Sequence, residues 1–596
     1  MEYRRTYSNN RVLYPYYREN KNKDFKKIPW GYALDIVARK LRETLDIHGP
    51  ESILYLSYAG NMGLITRYYS ERLWRYLGVT FTDESMCDGG GERAISLHYG
   101  LAYGMDIDAI TRSKLLIYWG FNPATTSPHN YQLSLEQKRK GAIIATIDVL
   151  KTQTAITSNV FLQVKPGSDF YLATGLAKHI ILEGLINEEF IEKHTYGFKE
   201  FKHYVMSFSD ETIEEKTGIP IEKVKDLARL YGELKPSIIF IGYGLQRRLG
   251  GSEAVRMISL LPALIGLHRG FYYGNADGLL YKPEYIKGYN LGKPSRLIPQ
   301  SKVGEFLKKG EFKFVYIHLT NPAFTYPNTG SVIRGLKRDD VFVVVHETHW
   351  SETAKLANMV LPAPTWTEKN DFMRSYWHTY LGYTKRIVDP LGESLEEYKV
   401  MHELARRLKI ESDEIYENPF KTVEKAIGSE LFEELLDKSY VKLPYRKLNE
   451  YQTPTGKIEF KSIQAEKEGY NPIPKPIETE SSEYPITLIT TTTTKYTNSQ
   501  FLDVFGKPQP YIYIHRRDAE KLDIQDGDTV KITSKYGAIE MLAKITNDTQ
   551  EGVAYTYKQT VSLDGKPINY IIYDEIGELG GATINSTKIA ISPIKS

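Results

Sequence analysis

Cysteine is nearly absent: the 596 residues contain one, at position 87. That scarcity excludes an intrachain disulfide and any iron–sulfur cluster held by several cysteines of this chain. Long apolar runs are missing as well, none approaching the roughly 18 residues needed to span a bilayer. Neither sign of charge is in excess. Lys and Arg number 77 against 74 Asp and Glu, a formal +3 that argues against a general polyanion-binding surface and against nucleic acid as a partner. Arg4-Arg5 is followed by polar residues 6–10 and Arg11 instead of an apolar core, so it is not an export signal. The expectation is a cytoplasmic protein with no direct membrane span, reaching a membrane only through a partner subunit. Length alone allows about four domains. Tyrosine is unusually abundant, with 45 copies, and the sequence attaches no role to it.

The single cysteine lies in Asp83-Glu84-Ser85-Met86-Cys87-Asp88-Gly89-Gly90-Gly91-Glu92-Arg93-Ala94, ahead of an amphipathic pattern carried by Ile95, Leu97, Leu101 and Ala102. A helix start there supplies partial positive charge and free N–H groups, which favour the thiolate that binds metal or attacks. Three glycines leave bare backbone beside the sulfur, against which a flat or bulky ligand can lie.

Around this segment, apolar strands alternate with helical patterns, the mark of an α/β domain with a parallel sheet. A helix opens at Pro29-Trp30 and buries Ala33, Leu34, Ile36, Val37 and Leu41; 52–57 reads as a strand and 66–77 as a helix. Beyond Cys87, strand 115–118 ends in Gly120-Phe121-Asn122-Pro123, and 142–147 ends in Asp148 followed by Lys151-Thr152-Gln153-Thr154-Ala155. Strand 161–164 then leads to Pro166-Gly167-Ser168-Asp169. The succession returns later: 314–318 ends in Asn321-Pro322, 341–345 in Glu347-Thr348, and 359–361 leads to Glu368, with Asp371 just beyond. Asn122 and Asn321 are 199 positions apart, as are Asp148 and Glu347, Thr154 and Thr353, and Asp169 and Glu368. Two related βαβ units are expected, each placing an Asn, a carboxylate and hydroxyls beyond the carboxyl ends of parallel strands, where open α/β sheets bind nucleotides. Carboxylates suit the N–H donors of a guanine or the hydroxyls of a ribose; hydroxyls and loop amides suit phosphates.

Between the copies, strand 237–241 ends in Gly242-Tyr243-Gly244-Leu245-Gln246, a tight turn suited to phosphate contact. His268 opens a glycine-rich loop and is a candidate catalytic residue. Residues 396–448 read as helical and carry no site signal. After a linker at Ser481-Ser482-Glu483 the composition turns to β, with strands at 486–489, 511–514, 529–533, 539–545 and 553–557. Thr492, Ser499, Gln500 and Asn585, in loops rich in small polar residues, complete the candidate cofactor-binding set.

Taken together, Cys87 with its glycines, Gly120-Phe121-Asn122-Pro123, Lys151-Thr152-Gln153-Thr154-Ala155, Lys165-Pro166-Gly167-Ser168-Asp169, Thr353-Ala354 with Leu361-Pro362-Ala363, Thr453-Pro454-Thr455-Gly456-Lys457-Ile458-Glu459-Phe460 and the 519–530 segment resemble the molybdopterin oxidoreductases of the dimethyl-sulfoxide-reductase superfamily, from about Arg11 to the C-terminus. The resemblance implies one molybdenum or tungsten ion held by two guanine-dinucleotide pterins, with Cys87 as the protein's metal ligand and Asp88 beside it. It implies two pseudo-repeated α/β pterin-dinucleotide domains, the first from 1–82 and 319–415 and the second from 83–318. A helical linker at 416–482 and a capping six-stranded β-barrel at 483–596 would follow.

Two departures from that family stand out. Most members begin with a four-cysteine segment holding an iron–sulfur cluster, and this chain enters the pattern after it. The expectation is therefore no cluster within the chain and an iron–sulfur electron-transfer partner. Formate dehydrogenases usually carry His after the metal-binding residue, where this sequence has Asp88, which would repel an anionic substrate such as formate if ionised. The function expected is a two-electron oxidation or reduction of a small substrate, with formate among the candidates. The alternative is a degenerate scaffold subunit that has lost its cofactor, and metal analysis separates the two.

Overall fold

The computed structural model describes residues 2–478 and 483–594; of the expected linker, Ser481 and Ser482 lie outside them. Two open sheets and a barrel organise the chain. One sheet has five parallel strands in the order Phe271–Tyr272, Ser237–Ile241, Leu115–Trp119, Ile143–Asp148, Val160–Gln163. The other has six: Ile53–Ser57, Phe314–His318, Phe342–Glu347 and Met359–Pro362 run parallel, and Tyr16–Tyr17 and Lys26–Lys27 add an antiparallel edge. Central strands such as Leu115–Trp119 and Phe314–His318 are buried at every position because helices cover both faces. The expected helix near Pro29 is Trp30–His48, burying the anticipated face, and it stops where Gly49 turns to φ 75°.

Strand Phe314–His318 pairs with Ile53–Ser57 and Phe342–Glu347. A boundary drawn after residue 318 would cut it from its own sheet, so the division between the units falls before it.

The duplication is visible in the backbone. Leu115–Trp119, Ile143–Asp148 and Val160–Gln163 return as Phe314–His318, Phe342–Glu347 and Met359–Pro362, each displaced by 199 positions, and the short helix Pro123–Thr126 returns as Pro322–Thr325. Hydrogen bonds repeat with the strands. Asn159 Oδ1 accepts from the Ile144 amide at 3.0 Å, and Asn358 Oδ1 from the Val343 amide at 3.0 Å. Gly120 has φ 59° and its counterpart Leu319 φ 57°, so a leucine is held left-handed where its copy uses glycine.

The copies diverge after the third strand. Asp169 opens helix Asp169–Leu182, whereas Glu368 closes the 3₁₀ turn Trp366–Glu368 ahead of hairpin Asp371–Arg374 and Tyr380–Thr384. The C-terminal unit is a closed barrel of Ile486–Thr491, Val553–Tyr557, Tyr511–His515, Gly537–Thr546, Thr529–Ser534 and Lys588–Pro593. Its sixth strand, Lys588–Pro593, follows the last loop read from the sequence and completes the closure by pairing with both the first strand and Thr529–Ser534.

Candidate active site

Cys87 immediately precedes the 11-residue helix Gly89–Tyr99, at which Asp88 is the N-cap. The thiol is half-buried. Arg247 holds it: Nη2 lies 3.2 Å from Sγ, and Nε donates to the Cys87 carbonyl at 2.9 Å. Gln246 Nε2 donates to the same carbonyl at 2.6 Å. Burial pushes the Cys87 thiol up, and Arg247 opposes that shift. Gly90 and Gly91 serve packing, contrary to the bare backbone expected there, while at Gly89 a Cβ would meet only the Ser85 Cβ. A Cβ at Gly90 would stand 2.7 Å from Gln246 Oε1, and one at Gly91 would overlap the Tyr273 hydroxyl, which donates to the Asp88 carbonyl at 2.9 Å.

A cavity of about 520 Å³ opens at the carboxyl ends of the five-stranded sheet, at the point where strand order reverses between Leu115–Trp119 and Ser237–Ile241. Gly120, Asn122, Asp148, Thr152, Asp169 and Gly244 line it from the sheet side; Thr492 and Asn585 line it from the barrel side. Arg247, Tyr273 and Tyr376 carry the wall toward Cys87. Arg248 and Lys558 are further cations on the lining, and the sequence had not marked them. The arginines directly follow Gly-Tyr-Gly-Leu-Gln, which is a usable signal; Lys558 carries none, since only barrel closure brings it here.

Burial raises the carboxyl of Asp148 to about 7 against the pull of the Leu150 and Val149 amides, with Asp169 pushing the same way. Asp169 is raised by burial while Trp119 Nε1, donating at 2.9 Å, and Arg248 oppose it. Lys558 is lowered to about 7 by burial and by Arg247. Arg248 Nε and Asn585 Oδ1 are buried without a hydrogen-bond partner among the described residues, although Asn585 Nδ2 donates to the Gly244 carbonyl at 3.0 Å. Unpartnered donors and acceptors beside cations and carboxylates fit a ligand carrying both phosphates and a polar base.

Other expected residues play supporting parts. Thr154 Oγ1 donates to Asn122 Oδ1 at 2.7 Å and Thr353 Oγ1 to Asn321 Oδ1 at 2.7 Å, tying the first two loops of each copy together. Gly242 passes too close to the Gly120 carbonyl for any Cβ, and Gly167, at φ 91°, packs on Arg248. Gln500 Nε2 donates to the Gly60 carbonyl at 3.1 Å, and Ser499 sits in the turn bridged by Thr497 and Gln500. Glu347 accepts from the Thr348 amide at 2.8 Å and from its hydroxyl. Asp371 accepts from the amides of Ile65, Thr66 and Phe372, so its carboxylate fixes backbone. Glu368 is ion-paired with Arg11 at 2.9 Å, both side chains almost wholly buried. His268 does not reach the site; it hydrogen-bonds Tyr451 and packs on Phe190 and His194, none of which line the cavity.

Tyrosines supply much of the surroundings. Tyr243, Tyr273 and Tyr376 line the cavity. Tyr58 donates to the Glu84 carbonyl, and burial raises its hydroxyl, with Cys87 and Asp88 adding to the shift. Arg67 pairs with Glu84 at 3.3 Å. Burial raises Asp88 as well, with Arg247 and Arg67 opposing; Glu92, one turn on, is raised to about 8 by burial and by Asp88. Three guanidiniums (Arg247, Arg67 and Arg374) thus offset the carboxylates around Cys87.

Among the described residues no group of three or more His, Cys, Asp or Glu could hold a metal ion. A metal at Cys87 would take one ligand from the protein and the rest from a bound group, which fits sulfur donors from a cofactor.

A duplicated α/β scaffold with a nucleotide-sized cavity leading to one thiol defines a protein that binds a dinucleotide-bearing metal cofactor. A molybdopterin oxidoreductase family profile matches residues 11–407, and a molybdopterin dinucleotide binding domain matches 486–586. The chain belongs to the molybdopterin oxidoreductase family. It is 30% identical to the "Probable oxidoreductase YoaE" of Bacillus subtilis, over 96% of this chain and 88% of that protein. It is 23% identical to formate dehydrogenase H of Escherichia coli, over 92% and 83% respectively. The acetylene hydratase of Pelobacter acetylenicus shares the fold with a TM-score of 0.86 at 19% identity, covering 99% of this chain and 93% of that one.

Proposed function

We propose that the chain is the catalytic subunit of a molybdenum- or tungsten-dependent oxidoreductase that binds two guanine-dinucleotide pterins and transfers two electrons to or from a small substrate. The observation that carries this reading is the place of the only cysteine, held by Arg247, which itself lines a cavity bordered by one of the two duplicated α/β units. When bound, the metal supplies a centre that accepts or donates an electron pair. In the unit of the five-stranded sheet Asp169 and Asp148 would hold the base and ribose, while Arg248, Lys558 and the loop amides would hold the diphosphate. In the unit of the six-stranded sheet Asn321 and Glu347, the counterparts of Asn122 and Asp148, would hold the second dinucleotide together with Thr348. Cys87 would complete the metal's coordination, and Arg247 would orient its sulfur and offset its charge. Asp88 and Glu92, held at raised proton affinity by burial, can carry a proton beside the substrate.

Formate is a candidate substrate, because the guanidiniums of Arg247, Arg67 and Arg374 compensate the Asp88 charge that alone would repel an anion. Relatives named as formate dehydrogenases and as dimethyl sulfoxide or trimethylamine-N-oxide reductases keep both anionic and neutral substrates in view. An iron–sulfur electron-transfer partner is proposed as well, with no cluster in this chain; one relative is named as an alpha subunit. Cytoplasmic residence is part of the proposal. No helix among the described residues is long and apolar enough to cross a membrane.

The test is metal and acid-released GMP analysis of protein from its native host, followed by dye-linked assays with formate, dimethyl sulfoxide and trimethylamine-N-oxide. One metal and two GMP per chain with turnover on a two-electron substrate is expected. A well-folded, metal-free and GMP-free preparation would overturn the reading in favour of a scaffold role.

A further inference from the structure

The barrel holds the turn that carries Arg247. Asn585 donates its side chain to the Gly244 carbonyl at 3.0 Å and its amide to the Arg247 carbonyl at 2.8 Å. Ser586 Oγ accepts the Leu249 amide at 2.9 Å. Glu578 takes three more amides: Oε2 accepts that of Gly250 at 3.1 Å, and Oε1 accepts those of Ser252 at 3.0 Å and Glu253 at 3.3 Å. Gly250 is the N-cap of the 14-residue helix Gly251–Leu264. One carboxylate of the barrel therefore satisfies three free N–H groups at a helix start, where negative charge is favoured.

The same barrel loop braces Cys87 from a second side. A Cβ at Gly90, in the first turn of helix Gly89–Tyr99, would stand 2.9 Å from the Gly580 carbonyl oxygen, and one at Gly581 would stand 3.1 Å from the Gly90 nitrogen. The loop is tied to itself as well. The Gly577 amide donates to the Gly581 carbonyl at 2.9 Å, and the Thr583 amide to the Glu575 carbonyl at 3.1 Å. It thus touches both elements that present the thiol, the helix after Cys87 and the turn that reaches it. Arg247 lies between the anchored positions Gly244 and Leu249, and its guanidinium spans both the Cys87 carbonyl and Sγ. A long side chain keeps such a place only while its backbone is held.

We propose that residues 578–586 are a clamp that fixes Arg247 against the Cys87 sulfur, with Glu578 as the positioning residue. Its relevance to catalysis rests on the reading of Cys87 as a metal ligand, whereas the clamp itself is a property of the cofactor-free chain. The consequence is that docking of the barrel and orientation of the sulfur are one event.

Because Cys87 is the only cysteine, alkylation of the full-length protein reads it alone. Wild type, Glu578→Ala, Glu578→Gln, Ser586→Ala and Arg247→Ala are prepared without cofactor, and their rates with iodoacetate and with iodoacetamide are compared at low salt. Both reagents consume the same thiolate, so its ionisation cancels in the ratio of the two rates. A guanidinium beside the sulfur draws the anionic reagent and not the neutral one, and salt would screen that difference. Arg247→Ala should lower the iodoacetate preference at least about threefold. Glu578→Ala should lower it nearly as far, although removal of a carboxylate alone would raise it; the sign separates movement of Arg247 from a change of field. Glu578→Gln keeps an acceptor oxygen and should stay at or above the wild-type ratio, while Ser586→Ala should fall between.

A wild-type ratio in Glu578→Ala, even with faster alkylation by both reagents, would overturn the clamp, as would a wild-type ratio in Arg247→Ala. Should Glu578→Ala fail to accumulate, Ser586→Ala decides: a lowered ratio supports the clamp and an unchanged one overturns it. Metal content of holoprotein from the native host is the separate readout, and Glu578→Ala should retain less than wild type. Metal-free wild type would overturn the functional reading, and the clamp would still stand or fall on the alkylation ratio.

Discussion

At Cys87 the protein would contribute one soft ligand to the proposed metal, and the Arg247 guanidinium holds that thiol. Cys87→Ala is expected to lower turnover more than about a hundredfold, as loss of a ligand outweighs loss of an outer partner. It should change the stability of the cofactor-free protein by less than about 1 kcal/mol, because the thiol is only half-buried. Dye-linked activity and urea denaturation check the two halves; full activity in the variant would remove Cys87 from the metal. Asp148 allows a test that needs no cofactor. Burial raises its folded pKa to about 7, above the unfolded value near 3.8, so the folded state favours the protonated carboxyl. Its contribution to stability is fully present below about pH 3.8 and is lost as pH rises through 7. Asp148→Asn should match wild type near pH 4 and become more stable than it toward pH 7.5, by urea midpoint on cofactor-free protein. A constant difference across that range would show that Asp148 is not held protonated.

The helix Gly89–Tyr99 and the turn after Ser237–Ile241 are the elements that set the site. The helix approaches the turn so closely that Gly90 faces Gln246 and Gly91 faces Tyr273. Gly91→Ala must therefore push Tyr273 away from the Asp88 carbonyl, at a cost of about 1–3 kcal/mol for overpacking. Metal content should fall along with thermal stability, measured on the same preparation. An unchanged metal content would mean that the helix does not fix the thiol. The adjoining barrel loop acts through Asn585, which donates to the Gly244 carbonyl and receives no partner at Oδ1. Asn585→Ala should cost about 1 kcal/mol of stability and lower the GMP retained per chain after gel filtration.

Across the whole molecule, the five-stranded sheet and the barrel wall the same cavity, with Tyr376 and Trp377 between them, so binding should couple to global stability. A ligand that binds only the folded state adds about 2.7 kcal/mol at a hundredfold excess over its Kd. Holoprotein should unfold at a clearly higher urea midpoint than cofactor-free protein, and chelation alone should not reproduce the difference if the dinucleotides stay bound. Electron exchange belongs to this scale too. Purification from the native host should bring an iron–sulfur protein along, with iron and acid-labile sulfide in the complex and none at stoichiometric level in the separated chain. Cluster iron in the separated chain would defeat that expectation.

Much of this was legible in the chain before folding. The 199-residue displacement, read from Asn122, Asp148, Thr154 and Asp169, returns as matched strand limits and matched Asn–Thr hydrogen bonds. Such positions are readable because backbone geometry is local: an Asn after a strand and a Thr opening the next helix do the same work in both copies. The place of Cys87 before a helix was equally local. Burial and partnership were not. Glu368 and Asp371 have the composition of ligand residues, yet Arg11 and the Leu391 amide reach the first and the Ile65 and Thr66 amides the second only in space, where they engage both oxygens of each carboxylate. His268 looks catalytic in a glycine-rich loop but folds onto Tyr451. Lys558 reaches the cavity only because the barrel closes. The sequence by itself determined the duplicated scaffold and its one thiol, through periodicity and spacing. Tertiary structure alone decided which carboxylates remain free for a ligand, because desolvation and pairing depend on what the fold brings within about 3 Å.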